Sequence, residues 1–278
     1  MSILSHYQTH LLLQAQTSGA GSAVISPDLG LSEIEVVIAT DGVRFPEGIF
    51  LVWEDIEHID KNPVGCFTVT NEGIDKVQAF SEAFNRLYSL MPTTGAPTML
   101  ISGIPMHRIK DTDPWRDTKQ KVRAAAPKGR VLDTCTGLGY TAILAALRAE
   151  HVTTIELDPT VLDICRQNPW SRPLFDNPAI EQCIGDSANL LPDFDDASFD
   201  RIIHDPPMFS LAGHLYSADY YRQLHRILKP GGRLFHYIGN PNHRSGRNIT
   251  RGASERLLRA GFKHVVRKPQ AFGVVAFR

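Results

Sequence analysis

The sequence has little cysteine and none of the spacings that put cysteine to use. Its four, Cys66, Cys135, Cys165 and Cys183, lie far apart in 278 residues, with no C-x-x-C pair. That argues against a disulfide framework and against a zinc site, so no metal is expected, and the thiols read as reduced. Long apolar runs are also missing: no stretch approaches the about 20 residues that cross a bilayer. The opening MSILSHYQTHLLLQAQTSGAG has neither a basic start nor a cleavage site of the secretory kind. A soluble, cytoplasmic protein with no membrane contact is expected. Neither sign of charge dominates: 29 Lys and Arg face 30 Asp and Glu, for a net charge of −1. The whole-molecule field therefore attracts neither nucleic acid nor an anionic membrane, and any nucleic-acid contact must come from a local patch.

What is present is enough to bury a core. Hydrophobic residues make up 42% of the chain, and its length suits one large domain or two smaller ones. The rest is organised around Val131–Ala142, VLDTCTGLGYTA. The apolar run Arg130-Val131-Leu132 reads as a buried strand, and the segment after Gly139 carries apolar residues at helical spacing. A strand that enters a helix through a glycine-rich turn brings backbone and helix N–H groups close to a ligand. Thr136, Gly137 and Gly139 line that turn. Two cofactor classes use this geometry, and Gly137, Gly139 and Ala142 also fit the dinucleotide pattern. Asp133 tips the balance, because a carboxylate facing the turn suits a cationic amino group better than a pyrophosphate.

Before this turn, short segments suggest a small, mainly antiparallel domain over residues 1–104. A helix from Ser2 to about Gln16 comes first. Strands are expected at Glu33–Ala39 and Ile49–Trp53, and Cys66–Thr70 and Lys76–Phe80 flank a hairpin turn at Asn71-Glu72-Gly73. A helix with Asp117 as its N-cap is expected through Ala126. Over residues 105–278 strands alternate with helices, which implies parallel βαβ units. The second strand, Val152–Glu156, ends in an acidic residue about twenty positions after Gly137, where Glu156 can accept from ribose hydroxyls. After the helix Thr160–Gln167, Asn168–Pro173 reads as an irregular loop. Past the third strand, Asp186 can accept from an adenine amine, and the backbone of Ser187 can read the ring. The fourth strand, Phe199–His204, runs into Asp205-Pro206-Pro207-Met208-Phe209. Two prolines there fix a rigid turn at the strand's carboxyl end, where open α/β sheets place their ligands. Lys229-Pro230-Gly231-Gly232 is expected to stop a helix before a fifth strand. Asn242–Arg251 reads as a basic loop suited to phosphate or to solvent, and a terminal strand pair closes the chain.

The D-x-x-x-G-x-G form of Asp133–Gly139, with Glu156, Asp186 and the later order of elements, resembles class I S-adenosylmethionine methyltransferases over residues 105–278. The fuller set PMHRIKDTDPWRDTK, LDTCTGLGYTAI, NPWSR, HDPPMFSLAG and LKPGGRLFHYIG is similar to a predicted methyltransferase family found mainly in archaea. The resemblance implies a Rossmann-like α/β sheet, mostly parallel with a C-terminal antiparallel hairpin, beside the small β-rich N-terminal domain. It implies S-adenosyl-L-methionine as cofactor, held by Asp133, Thr136, Gly137, Gly139, Glu156, Asp186 and Ser187. Asp205-Pro206-Pro207 also resembles the Asn/Asp-Pro-Pro-aromatic motif of amino methyltransferases, in which the acidic or amide side chain and a proline-region carbonyl hold a planar amine. Met208 departs from that motif, and Phe209 supplies the aromatic one place later. Arg108, Trp115 and His204 are the expected substrate contacts, and His204, His107 and His236 the candidate bases. The expected activity is N-methylation of RNA or another planar amine. Aminopropyl transfer from decarboxylated S-adenosylmethionine and a non-catalytic cofactor- or RNA-binding role are the alternatives. Acceptor identity and homo-oligomerisation are left open.

Overall fold

The computed structural model describes residues 2–209, 211–239 and 244–278, the side chains of 244–247 aside. The chain divides into two compact units, Met1–Trp115 with Thr160–Arg172, and Arg116–Pro159 with Pro173–Arg278.

The first unit is built on three small antiparallel sheets. Ser2–Leu4, Phe67–Thr70 and Gly73–Lys76 form one; Ser22–Ile25, Ile34–Ile38, Gly42–Arg44 and Phe50–Val52 form another; Gln78–Ser81, Arg86–Met91, Thr98–Ile101 and Ile104–Pro105 form the third. Leu4, Leu12, Val36, Leu51, Ile56 and Val69 belong to its closed core. Several local expectations change here. The first helix is His6–Ser18, after a short strand, because Ser5 caps it and exchanges a reciprocal capping box with Gln8. Trp53 does not end a strand; it opens the helix Trp53–Asp60, with Glu54 and Asp55 in the first turn, where acidic residues favour a helix start. The hairpin at Asn71-Glu72 returns through Gly73–Lys76. Gln78–Ser81 instead pairs with Arg86–Met91 in another sheet. The loop expected at Asn168–Pro173 is a 3₁₀ turn, Pro169–Ser171, capped by Asn168 and followed by a helical turn at Pro173–Asp176.

The second unit is a seven-stranded sheet. Its strands are β1 (Arg130–Asp133), β2 (His151–Glu156), β3 (Ile180–Ile184), β4 (Phe199–His204), β5 (Leu228–Tyr237), β6 (His264–Lys268) and β7 (Gly273–Phe277). The spatial order is β3-β2-β1-β4-β5-β7-β6, with β1 to β5 parallel and β7 antiparallel to both of its neighbours. β1 and β4 sit at the point where the strand order reverses, so their carboxyl ends flank the crevice that this topology creates. A helix, Ala218–Ile227, ends ahead of β5 as expected, but Lys229–Gly232 lies inside the strand, where the register shifts: Phe199 pairs with Leu228, and Arg201 next pairs with Arg233. Gly231 has φ 74°, and a Cβ on Gly232 would lie 2.6 Å from the Lys229 carbonyl. The basic stretch is helical from Arg244, in a helix that runs to Arg259. Asn242 and His243, the start of the expected loop, lie outside the described residues.

Phe199 anchors this core. It is fully buried and meets Phe194 edge to face at 5.2 Å. Phe199→Ala removes that ring and leaves a cavity, and should lower unfolding free energy by about 3–5 kcal/mol, read as a shift of the urea transition.

Candidate active site

Asp133 ends β1 with no exposed surface. The hydroxyls of Thr141 and Thr154 donate to its Oδ2 at 3.2 and 3.0 Å. Thr136 Oγ1 lies 2.7 Å from Thr154 Oγ1, and its N–H donates to the Ile155 carbonyl at 2.8 Å. Asp133 Oδ1 is buried and has no hydrogen-bond partner among the described residues. Burial pushes Asp133 up to about 8; the Asp205 and Glu156 charges add to this, and the threonine hydroxyls oppose it. An orphaned buried carboxylate oxygen is costly unless something donates to it. The cationic amino group of an S-adenosylmethionine-type cofactor is such a donor, so the site fits the cofactor that the sequence implies.

The turn beside it has the strain that glycine relieves. Gly137 and Gly139 sit at φ 52° and 76°, and a Cβ on Gly139 would meet Leu174 at 2.8 Å. The Gly137 N–H donates to Glu156 Oε2 at 2.9 Å, and the Asp158 N–H donates to Oε1 at 3.1 Å. Glu156 therefore braces the turn from the end of β2. Burial pushes it up to about 7 against those two N–H bonds. Asp186 caps the turn Ser187–Leu190, accepting from the Ala188 N–H at 2.8 Å, and lies 3.3 Å from His214 Nε2. Ser187 is buried, with its hydroxyl 3.0 Å from the Tyr220 hydroxyl.

Asp205 follows β4, and its environment holds what the sequence did not disclose. Lys121 Nζ lies 2.6 Å from Asp205 Oδ2 and 3.1 Å from Asp117 Oδ2. It also stands 4.3 Å above the centre of the Tyr237 ring. Lys121 is only 3% exposed. Burial alone would push the ammonium down, but Asp205 and then Asp117 more than offset this and hold it above its ordinary value. Asp117 is thus not an N-cap: it lies inside the helix Pro114–Ala125, one turn before Lys121. The i, i+4 spacing of Asp117 and Lys121 was the available signal, and it reads equally well as a solvent-exposed pair. Pro206 is buried and Pro207 exposed, and the Tyr216 hydroxyl donates to the Pro207 carbonyl at 3.0 Å. Phe209 is half exposed and meets Tyr216 edge to face at 5.3 Å.

The structure brings Asp133, Thr136, Gly137, Gly139, Glu156, Asp186, Ser187 and Asp205 to the carboxyl ends of neighbouring strands. It does not offer His204 to a substrate. His204 is fully buried, with Nδ1 2.7 Å from Thr134 Oγ1 and Nε2 3.0 Å from the Leu215 carbonyl. Desolvation pushes it down to about 3, so it is a neutral packing residue. His236 is also buried, with Nε2 2.8 Å from the Tyr221 hydroxyl, and burial holds its pKa well below the ordinary value. Arg108, Trp115 and His107 belong to the first unit. There Trp115 meets Trp170 edge to face at 5.2 Å, and His107 Nδ1 lies 3.1 Å from Thr98 Oγ1.

The state of Asp133 makes stability depend on pH. Between about 4 and about 8 the unfolded chain has released this proton and the folded chain still holds it. The native state then binds more protons, so stability falls as pH rises through that window. Asp133→Asn removes the effect: its stability advantage over the wild type should grow from pH 4 to pH 8, as measured by paired urea titrations.

Comparison with known proteins agrees with this geometry. Residues 131–232 match a methyltransferase domain. An uncharacterized protein of Methanocaldococcus jannaschii is 43% identical over 238 residues, covering 84% of this chain and 81% of that one. A polyamine aminopropyltransferase of Nitrosomonas europaea is 38% identical over 104 residues, 34% of this chain and 30% of that one. The fold is similar to that of a spermidine synthase from Thermotoga maritima, with a TM-score of 0.56 and 20% identity over 72% of this chain and 70% of that one. The chain belongs to the same family as the Methanocaldococcus jannaschii protein and carries the class I S-adenosylmethionine-dependent methyltransferase fold.

Proposed function

We propose that this chain moves a carbon group from the sulfonium of an S-adenosylmethionine-type cofactor onto the nitrogen of a small amine, with methyl transfer as the first reading. The supporting observation is the carboxylate set at the sheet edge. Asp133, Glu156 and Asp205 stand at the ends of β1, β2 and β4, and the Asp205 and Glu156 charges both raise Asp133. Lys121 is the only fully buried lysine or arginine among the described residues, and two carboxylates already share it. Crowded carboxyls whose pKa values are pushed up ionise fully only beside a cation, so such an edge suits cations and disfavours phosphate. A small amine with a second, cationic nitrogen is therefore favoured over RNA as acceptor, its reacting nitrogen being neutral and its proton released to solvent after transfer.

In this reading Asp133 receives the cofactor's amino group on Oδ1, and the Thr136–Gly139 turn lies against its methionine end. Glu156 takes the ribose hydroxyls, since its oxygens keep lone pairs beyond the two N–H bonds they accept. Asp186 and Ser187 face the adenine. When bound, the cofactor supplies a carbon already activated by positively charged sulfur, so the protein's share is proximity and alignment. Asp205, carried on the Pro206-Pro207 turn, accepts N–H bonds from the amine and so directs the nitrogen lone pair, and Phe209 offers an apolar wall.

A second reading, aminopropyl transfer, is favoured by the polyamine aminopropyltransferases among the relatives. Decarboxylated S-adenosylmethionine also lacks the carboxylate that this edge would repel. One assay separates the readings. The protein is incubated with either donor and, in turn, a linear diamine, an adenine nucleoside and an RNA oligonucleotide. Methyl transfer releases S-adenosylhomocysteine, and aminopropyl transfer releases methylthioadenosine. Turnover with the diamine is expected; turnover confined to RNA, or none with any acceptor, overturns the proposal. Asp205→Ala should cut turnover about a hundredfold or more while leaving S-adenosylhomocysteine affinity unchanged by calorimetry. Glu156→Ala should weaken that affinity by about 1–3 kcal/mol.

A further inference from the structure

The Lys121 ammonium is enclosed by an aromatic face and two carboxylates, and nothing in the reading so far assigns it a task. A lysine is rarely buried this deeply unless it is paired. We propose that Lys121 is the positioning residue of the site: it grips Oδ2 of Asp205, keeps that side chain ionised, and leaves Oδ1 as the oxygen that meets the acceptor. The role in turnover rests on the amine reading above; the ionisation of Asp205 does not, and it can be measured without substrate.

Asp205 and Lys121 are 84 residues apart in sequence yet meet at 2.6 Å, the short distance of a charge-assisted hydrogen bond. Asp117 Oδ2 lies 3.1 Å from the same ammonium. The groups around Asp205 act with different signs. Burial pushes its pKa up and Asp117 adds to this, while Lys121 pulls it down by charge and by hydrogen bond; the balance leaves Asp205 above its ordinary value. Asp205 in turn raises Asp133 and Cys135 beyond the end of β1 and Tyr216 after the Pro-Pro turn, and Tyr237 of β5 faces Lys121 through its ring. Among these groups Lys121 is the only cation. Without it, burial and the neighbouring carboxylates act unopposed, and the Asp205 pKa would rise further. A protonated carboxyl has lost much of its power to accept from an amine.

This arrangement also changes what Asp205→Asn should do. Amine methyltransferases with the resembling motif take either Asp or Asn at this place. Here asparagine offers a single oxygen, Lys121 claims it, and the NH₂ group is left facing the acceptor.

The test labels every aspartate with ¹³C at Cγ and follows the carboxyl resonances from acid to alkaline pH. The resonance missing from Asp205→Asn is that of Asp205. In Lys121→Gln its midpoint should rise by about one pH unit or more. In Asp117→Asn it should fall, because Lys121 then serves Asp205 alone. Opposite shifts are the signature of charge coupling, since loosened packing would not reverse sign between the two variants. With S-adenosylmethionine and diaminobutane, turnover of Lys121→Gln should recover as pH is raised past the new midpoint, and Asp205→Asn should be nearly as inactive as Asp205→Ala. An unchanged midpoint in Lys121→Gln overturns the inference, as does an active Asp205→Asn. Should Lys121→Gln fail to fold, Asp117→Asn decides alone: a midpoint that stays or rises overturns it. Turnover retained in Asp205→Ala overturns the amine reading and leaves the ionisation result standing.

Discussion

The pairing of β1 with β4 is the constraint on which the rest depends. Val131, Leu132 and Asp133 align with Arg201, Ile202 and Ile203, and the Thr134 N–H extends the ladder to the Ile203 carbonyl at 3.0 Å. Because side chains alternate along a strand, a slip of one residue would exchange the buried face for the opposite one. This register sets Asp133 and Asp205 at the ends of adjacent strands. The buried bond between Thr134 and His204 then locks the two strand ends together. His204, read from sequence as a substrate contact, serves the site through this bond.

The site trades stability for readiness. Three acidic side chains and one ammonium gather where water is scarce, and desolvating such groups costs several kcal/mol each unless partners compensate. Lys121 compensates Asp117 and Asp205 at once, whereas among the described residues Asp133 is compensated only by hydroxyls and keeps an orphaned oxygen. A residue installed only to stabilise the fold would not be left in that state. Buried groups with strongly displaced pKa values that share one crevice are a mark of function, and here they share the end of the sheet where the topology opens.

The parallel sheet was legible because its signals are local. Apolar runs ending in Asp133, Glu156, Ile184 and His204 are bounded by Gly, Pro and Asp, which end strands for steric reasons that need no tertiary context. The errors arose where the deciding partner is distant or the cue ambiguous. Lys229–Gly232 looks like a helix stop, yet the Gly231 N–H reaches the Arg278 carbonyl and holds the segment in the sheet as a bulge. Trp53 completes an apolar run in sequence but begins a helix in space. Lys121 was missed for the same reason: one ion pair is visible at i, i+4, and the other spans 84 residues. The cofactor side of the candidate site was therefore readable as a motif, and the network behind Asp205 was not.

That asymmetry has a physical origin in how the two halves of the site are made. The turn beside Asp133 rests on backbone conformation, since Gly137 and Gly139 need positive φ and hence glycine, and such needs leave a mark in sequence. The surroundings of Asp205 are built from side chains converging from the Pro114–Ala125 helix, β4, β5 and the Tyr216 segment. Any of several residue types could meet such a need, so no motif records it. Its rigidity comes from constraints imposed in series: the prolines fix φ, the Tyr216 hydroxyl fixes the Pro207 carbonyl, and Lys121 fixes Asp205. Each removes freedom before any acceptor arrives, so the entropy of ordering the carboxylate is spent in folding rather than in binding. A short turn that would otherwise sample many conformations thereby holds one carboxylate oxygen steady, the condition that the proposed alignment toward an activated carbon sets.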